Sequence, residues 1–283
     1  MRRHLFRVFL FSFLFSLFPL SHLTAEADRY DIYAVRYATL ANFPMSSLVA
    51  GADRSRRMDI AMTIWVLKGA DGRIAIVDSG FHRDQYFKQF TVRDFVSPAE
   101  AIAPLGLKPS DVTDILLSHM HWDHAGGLDL FPSARVWIQK DEYDYYTSDA
   151  WQSPRTHGGI DPDDVLEIVK RNTQGKVSFV RGDDDTLLSG ITFGIGGKHT
   201  WQSQFVAVQG RDHIVVLASD NMYLYENLDT HKAIAQTLDA ASNLRTQDRM
   251  RSMVIEPKFL VPGHDPGVFT RFPRVSERIV RIE

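Results

Sequence analysis

The chain has 283 residues, 44% hydrophobic and 24% charged, with 32 Lys and Arg against 35 Asp and Glu and a formal net charge of −3. That suits one large globular domain or two small ones, and it gives no reason to expect a nucleic-acid partner, because phosphate binding needs concentrated Lys and Arg. There is no cysteine, which excludes disulfides and thiolate metal ligands and leaves any metal to His and carboxylate.

Residues 1–27 read as a secretory signal and not as part of the fold. MRRHLFR is basic, VFLFSFLFSLFPL (Val8 to Leu20) is a short apolar run interrupted by Pro19, and AEA (Ala25 to Ala27) is a small-x-small cleavage pattern. The run is well short of the roughly 20 residues a spanning helix needs, so cleavage is expected over a retained membrane anchor. Cleavage would remove three Arg and one Glu and leave a net charge of −5. The expectation is a soluble, mildly acidic, periplasmic or secreted protein.

From Asp28 onward there is no low-complexity linker, charge run or internal repeat. IAMTIWVLKGADGRIAIVDSG (Ile60 to Gly80) predicts two strands joined by a turn at Ala70-Asp71-Gly72. DILLS, ending at Ser118, predicts a buried strand, and ARVWIQ (Ala134 to Gln139) another, followed by a helical KDEYDYY. KVSFV, ITFGIGG, SQFVAVQG and HIVVLASD predict strands between Lys176 and Asp220, broken by glycine-containing turns. The stretch Leu228 to Met253 predicts one helix with Asp229 or Thr230 as N-cap. KFLVPGHD predicts a short strand ending in a His-bearing loop. The order suggests a mixed α/β sandwich with polar loops gathered at strand ends.

The segment SHMHWDHAGG (Ser118 to Gly127) packs three His and one Asp into six positions at the end of an apolar run. Imidazole and carboxylate suit zinc and similar divalent ions. His119 and His121, two apart in an extended segment, can face one ion. Asp123 and His124 fall in the next turn and can face a second. Gly126 and Gly127 let the backbone turn and approach closely. One loop cannot complete two sites, and three further strand ends carry the missing donors: His199 in GGKHTW, Asp220 in LASDN and His264 in VPGHD. An aspartate shared between two cations would offset their repulsion.

HMHWDH, with the later GGKH, SD and PGH segments in that order and IVDSG (Ile76 to Gly80) before them, resembles the metallo-β-lactamase superfamily over essentially all of residues 28–283. The resemblance implies a single domain, a four-layer αββα sandwich, with two divalent metal ions, zinc expected, at one edge of the sheets. It implies that His119, His121 and His199 hold the first metal, that Asp123, His124 and His264 hold the second, and that Asp220 bridges. Asp78 would orient a ligating histidine.

Such a pair of metals activates water for hydrolysis. The bridging aspartate is absent from the secreted β-lactamases of the superfamily. The acidic charge and leader argue against its nucleases. The C-terminal Arg271, Arg274, Arg278 and Arg281 look like a solvated face, unlike a glutathione-binding region. Tyr223, three residues after Asp220, gives an Asp-x-x-Tyr arrangement similar to the N-acyl-homoserine lactonases. There the resemblance implies a phenol that contacts the lactone carbonyl, with Asp123 passing a proton to the leaving oxygen. Asp123, Asp220 and Tyr223 are therefore the candidate catalytic residues, and a small lactone or ester is the expected substrate. Tyr225 reads as packing. Trp122, Trp201, Phe205, Phe43, Met45 and Leu48 are candidates to hold an acyl chain. Open alternatives are another exported hydrolase of this scaffold, acting on esters, thioesters or β-lactams, and a non-catalytic metal-binding protein.

Overall fold

A computed structural model describes residues 29–283. The leader expected over residues 1–27 lies outside them. Two sheets carry the fold. The first contains β1 (Tyr30–Pro44), β2 (Arg57–Gly69), β3 (Ile74–Val77), β4 (Val92–Arg93), β5 (Asp114–Leu116), β6 (Arg135–Gln139), β7 (Val177–Val180) and β13 (Ile279–Arg281), in the order β13-β1-β2-β3-β5-β6-β7, with β4 paired to β1. The second contains β8 (Asp184–Leu188), β9 (Ile191–Ile195), β10 (Gln204–Gln209), β11 (Ile214–Ser219) and β12 (Leu260–Pro262), in the order β12-β11-β10-β9-β8.

The two-residue period of a strand sorts the side chains. On β2, Trp65 and Leu67 face the second sheet, while Ile64 and Val66 face the outer side. Ala75, Val77 and Leu116 join the inter-sheet core with Phe193, Val206 and Leu217 of the second sheet. Ile76, Ile115 and Leu117 face outward with Ile168 of the helix Pro162–Thr173 and Tyr146 of the helix Lys140–Tyr146. The helix Ala240–Met253 covers the second sheet through Met250. The result is the αββα sandwich expected from the sequence.

β3, β5, β6 and β7 run parallel, as do β11 and β12. Parallel strands deliver their carboxyl ends to one edge, the usual ligand-binding edge of such sheets. The predicted strands at 60–80, 114–118, 134–139 and 176–220 are present. Elements not anticipated include β1, β8, and the helix Pro162–Thr173, whose start carries Asp161 as N-cap and a proline at its first position.

The single helix predicted over 228–253 is corrected. A short helix, Tyr225–Asp229, ends with Thr230 as its C-cap, and the long helix starts only at Ala240. Asp239, not Asp229 or Thr230, caps it by accepting from Ser242 N at 2.9 Å. Between them the chain leaves helical geometry because its backbone pairs elsewhere: Ala50 N donates to Ala233 O and Ala235 N to Leu48 O, both at 3.0 Å.

Candidate metal centre

All seven predicted ligands arrive from strand ends. Leaving buried β5, the chain passes through Ser118, His119 and Met120, and His121 caps the short helix Trp122–Ala125 that carries Asp123 and His124. His199 follows β9, Asp220 follows β11, and His264 follows β12. The glycines after His124 serve close approach more than a special dihedral. Gly126 has φ −70°, yet a Cβ there would lie 2.3 Å from Trp122 O, and one on Gly127 would lie 2.1 Å from Ser79 O. That closeness lets Ser79 N and Ser79 Oγ both donate to His124 O, at 2.8 and 2.7 Å.

The donor atoms form two groups: His119, His121, His199 and Asp220 in one, and Asp123, His124 and His264 in the other. In the first, His121 Nδ1 lies 3.1 Å from His119 Nε2 and 2.8 Å from His199 Nε2. Asp220 Oδ2 completes it, 3.2 Å from His199 Nε2 and 3.7 Å from His119 Nε2. The other oxygen, Asp220 Oδ1, faces the second group, 3.0 Å from His264 Nε2 and 3.3 Å from His124 Nε2. Asp123 Oδ2 closes that group at 3.5 Å from His124 Nε2 and 3.7 Å from His264 Nε2. One carboxylate thus spans both groups with one oxygen each.

The outer nitrogens fix which atoms point inward. His199 Nδ1 donates to Gln236 O at 2.8 Å and His264 Nδ1 to Ala61 O at 3.0 Å. A carbonyl only accepts, so in the neutral ring each Nε2 carries a bare lone pair. His124 Nδ1 donates to Asp78 Oδ2 at 2.8 Å. Asp78, held at φ 62° after β3, also accepts from Ser118 N, Ser118 Oγ and Ser219 Oγ at 2.8, 3.0 and 2.9 Å. A carboxylate with four donors is saturated, so Asp78 locks the segments after β3, β5 and β11 together. Ser118 Oγ lies 2.8 Å from His119 Nδ1.

This donor set fits a pair of divalent cations. Imidazole lone pairs and carboxylate oxygens converge with no hydrogen between several of them, and the buried atoms His124 Nε2 and Asp220 Oδ1 have no hydrogen-bond partner among the described residues. Such atoms are costly unless something charged sits among them. Burial, reinforced by the neighbouring imidazoles, holds His119 well below the usual histidine range and presses His121 down to about 3. Burial also opposes charge on His124, yet the carboxylates of Asp220, Asp123 and Asp78 outweigh it and push that ring up. His264 rises in the same way through Asp220 and Asp123. Against the cost of burial, the adjacent imidazoles keep Asp123 and Asp220 below the usual carboxylate range. The second group therefore demands positive charge.

A cavity of about 300 Å³ opens on both groups, with Asp123, Asp220, His264 and Tyr223 on its floor and Leu40, Phe43, Leu48, Ile60, Phe90 and Trp122 among its walls. Tyr223 is 4% exposed, and its hydroxyl lies 3.4 Å from His199 Nδ1. Burial, with the Asp220 and Asp123 charges, holds the phenol well above its ordinary range. Tyr225 packs as expected, under the Arg271 guanidinium at 3.6 Å.

Of the six acyl-chain candidates, Trp122, Phe43 and Leu48 line this cavity. Trp122 is stacked between Tyr86 and Phe90, centroids 3.9 and 5.1 Å away. The other three are corrected. Phe205 is buried on the outer face of the second sheet, because its position on β10 pairs it with Gly194 and sends its ring beneath the helix Ala240–Met253, where Arg249 lies over it at 5.3 Å. Trp201 stacks on Tyr145 at the surface, 42% exposed. Met45 lines a separate hollow with Arg56 and Met58. Residues the sequence did not point to include Phe90, Gly159 and Gln236. Gly159, at φ +79°, packs so near the His121 ring that a Cβ would lie 2.8 Å from Cδ2. His82, His157, His213 and His231 lie outside both donor groups and pair with Asp129, Trp151, Glu283 and Asp248.

The profile of the metallo-beta-lactamase superfamily matches residues 61–264. The chain is similar to the N-acyl homoserine lactonase AttM of Rhizobium radiobacter, 26% identical over 184 residues, covering 63% of this chain and 67% of that one. Among solved structures it resembles an N-acyl homoserine lactone hydrolase with the product N-hexanoyl-L-homoserine bound at its catalytic metal center, at TM-score 0.67 and 18% identity over 86% of this chain and 95% of that one. It also resembles AidC, a dizinc quorum-quenching lactonase in complex with a product, at TM-score 0.65 and 18% identity over 83% of this chain and 87% of that one. At such identities the structural likenesses carry the fold alone. The matched stretch takes in most of the chain and every residue of both donor groups, and the protein belongs to the metallo-beta-lactamase superfamily.

Proposed function

We propose that this protein is a metal-dependent hydrolase of ester bonds that opens the lactone ring of N-acyl homoserine lactones, a quorum-quenching activity, using two divalent cations, zinc by preference. The observation that carries the reading is the Asp220 carboxylate, with one oxygen in each donor group and a cavity directly above. The relatives named as lactonases support the substrate class. The imidazole-rich donor set and the dizinc neighbour support zinc.

Bound cations would supply Lewis acidity and lower the pKa of water toward neutrality. The chain's residues do the rest. His119, His121 and His199 would hold one cation, and Asp123, His124 and His264 the other, with Asp220 spanning them. The Tyr223 phenol, kept protonated by its surroundings, would donate to the carbonyl oxygen as negative charge develops there. Asp123, ionised at rest and lining the cavity, would take the proton released by the attacking water and hand it to the departing ring oxygen. The apolar walls would take the acyl chain and exclude water. The reading includes export, on the pattern of residues 1–27. The protein recovered from a periplasmic fraction would then begin at Asp28.

The test is a panel of acyl-homoserine lactones, simple lactones, a thioester and a β-lactam, offered to metal-analysed protein. Preference for lactones with about two metal ions per chain is expected. Fast β-lactam cleavage with inert lactones would sink the lactonase reading, and metal-free protein would sink the dinuclear one.

A further inference from the structure

The segment 231–238, between the two helices that replaced the predicted one, reaches the cavity through Gln236. It is pinned on one side to residues 47–50, where Val49 and Ile234 form an antiparallel bridge. On the other side Leu238 N donates to Lys198 O at 2.8 Å, beside His199. At its centre Gln236 accepts from His199 Nδ1 through its backbone carbonyl. Both anchors fix the Gln236 Cα relative to the donor groups.

The side chain is oriented too. Gln236 Nε2 donates to Ser47 O at 3.1 Å. A backbone carbonyl cannot donate, so this bond settles which end of the amide is nitrogen. Oε1 accepts no hydrogen bond from any described residue, and Gln236 lines the cavity together with Tyr223, Phe43 and Leu48. An acceptor anchored through its own nitrogen thus lies on the solvent side of the cavity that Tyr223 and the apolar side chains also line. The geometry points to Gln236 as a specificity-determining residue, its Oε1 accepting the N–H of a secondary amide that joins the lactone ring to the acyl chain. The inference rests on the lactonase reading and adds a reason for N-acylated lactones over plain ones.

The experiment compares N-hexanoyl homoserine lactone with an α-alkyl-γ-butyrolactone of matched length, in which methylenes replace the amide. In wild type the acylated substrate has the higher kcat/KM. Gln236→Met removes the acceptor while keeping length and the backbone carbonyl. It is expected to reduce the ratio of the two kcat/KM values about five- to tenfold, the loss lying in KM for the acylated substrate. Gln236→Glu keeps acceptor oxygens but loses the donor to Ser47 O, and is expected to retain most of the ratio. Metal content and melting temperature should match wild type in both. An unchanged ratio in Gln236→Met overturns the inference, as does an equal collapse in both variants, which would mean that only the Ser47 anchor matters. A wild type inert toward both lactones shows itself before any variant is made, and removes the lactonase reading together with what rests on it.

Discussion

Tyr223 and Asp78 sit within a few ångströms of the donor atoms yet do different work, and substitution separates them. Tyr223→Phe deletes one hydroxyl and keeps the ring packed between His199 and His264. If the phenol donates to developing negative charge, kcat should fall about 100-fold with KM and metal content nearly constant. Because its surroundings hold the phenol protonated, the pH profile should keep its shape in the variant. Asp78 does not line the cavity. Its loss should act through the histidine it orients, so Asp78→Asn is expected to weaken metal retention about 10- to 100-fold in a competition titration with a chelator. Retention equal to wild type would make Asp78 a turn residue only. A second carboxylate tests burial. Asp164 is pushed up to about 7, chiefly by burial, although Arg83 pairs with it. In folded protein it therefore keeps a proton that the unfolded chain releases above about 3.8, and this favours folding less and less as pH rises from about 4 to about 7. Asp164→Asn lacks that term, so its stability should gain on wild type across this window, and the gap should stay level above it. Parallel stability curves from urea titrations would refute the assignment.

The strand ends explain why so much of the site was readable from local sequence. DILLSH, GGKH, LASD and VPGH each end an apolar run in a polar donor; β5, β11 and β12 have parallel partners whose carboxyl ends share one edge, and antiparallel β9 brings His199 to the same edge. The bridging geometry of Asp220, one oxygen to each group, was not a local property and came from the family resemblance. The segment 231–238 was misread because its composition continues the helical spacing on either side. What overrides that spacing is pairing with residues 47–50, more than 180 positions earlier, which no window of the sequence contains. For the same reason Gln236 was not singled out, and Phe205 was sent to the pocket when its strand face sends it to the core. The corrected boundary has a measurable consequence. If Asp239 is the cap, Asp239→Ala should cost about 1 kcal/mol in chemical denaturation, while Asp229→Ala should cost only a few tenths. The reverse order would restore the long helix.

Two stabilising systems of different origin meet in this fold. The inter-sheet core of Trp65, Leu67, Phe193, Val206 and Leu217 is apolar and complete without any ion. The edge of the sandwich instead gathers three aspartates and five histidines, nearly all buried, whose mutual repulsions and unpaired atoms oppose folding unless cations are present. Removing metal should therefore lower stability without abolishing the fold. At a thousandfold excess of free metal over its dissociation constant, one site adds about 4 kcal/mol. For a chain of this size each kcal/mol moves the melting temperature by roughly 2–4 °C, so chelation should lower it by roughly 10 °C or more. Far-UV circular dichroism before heating should be unchanged, because the sheets do not depend on the edge. Restoring zinc should recover the lost degrees. If chelation instead erased the secondary structure at ambient temperature, the edge would be nucleating the sandwich. The apolar core would then be insufficient alone, and the division of labour argued from burial would be wrong.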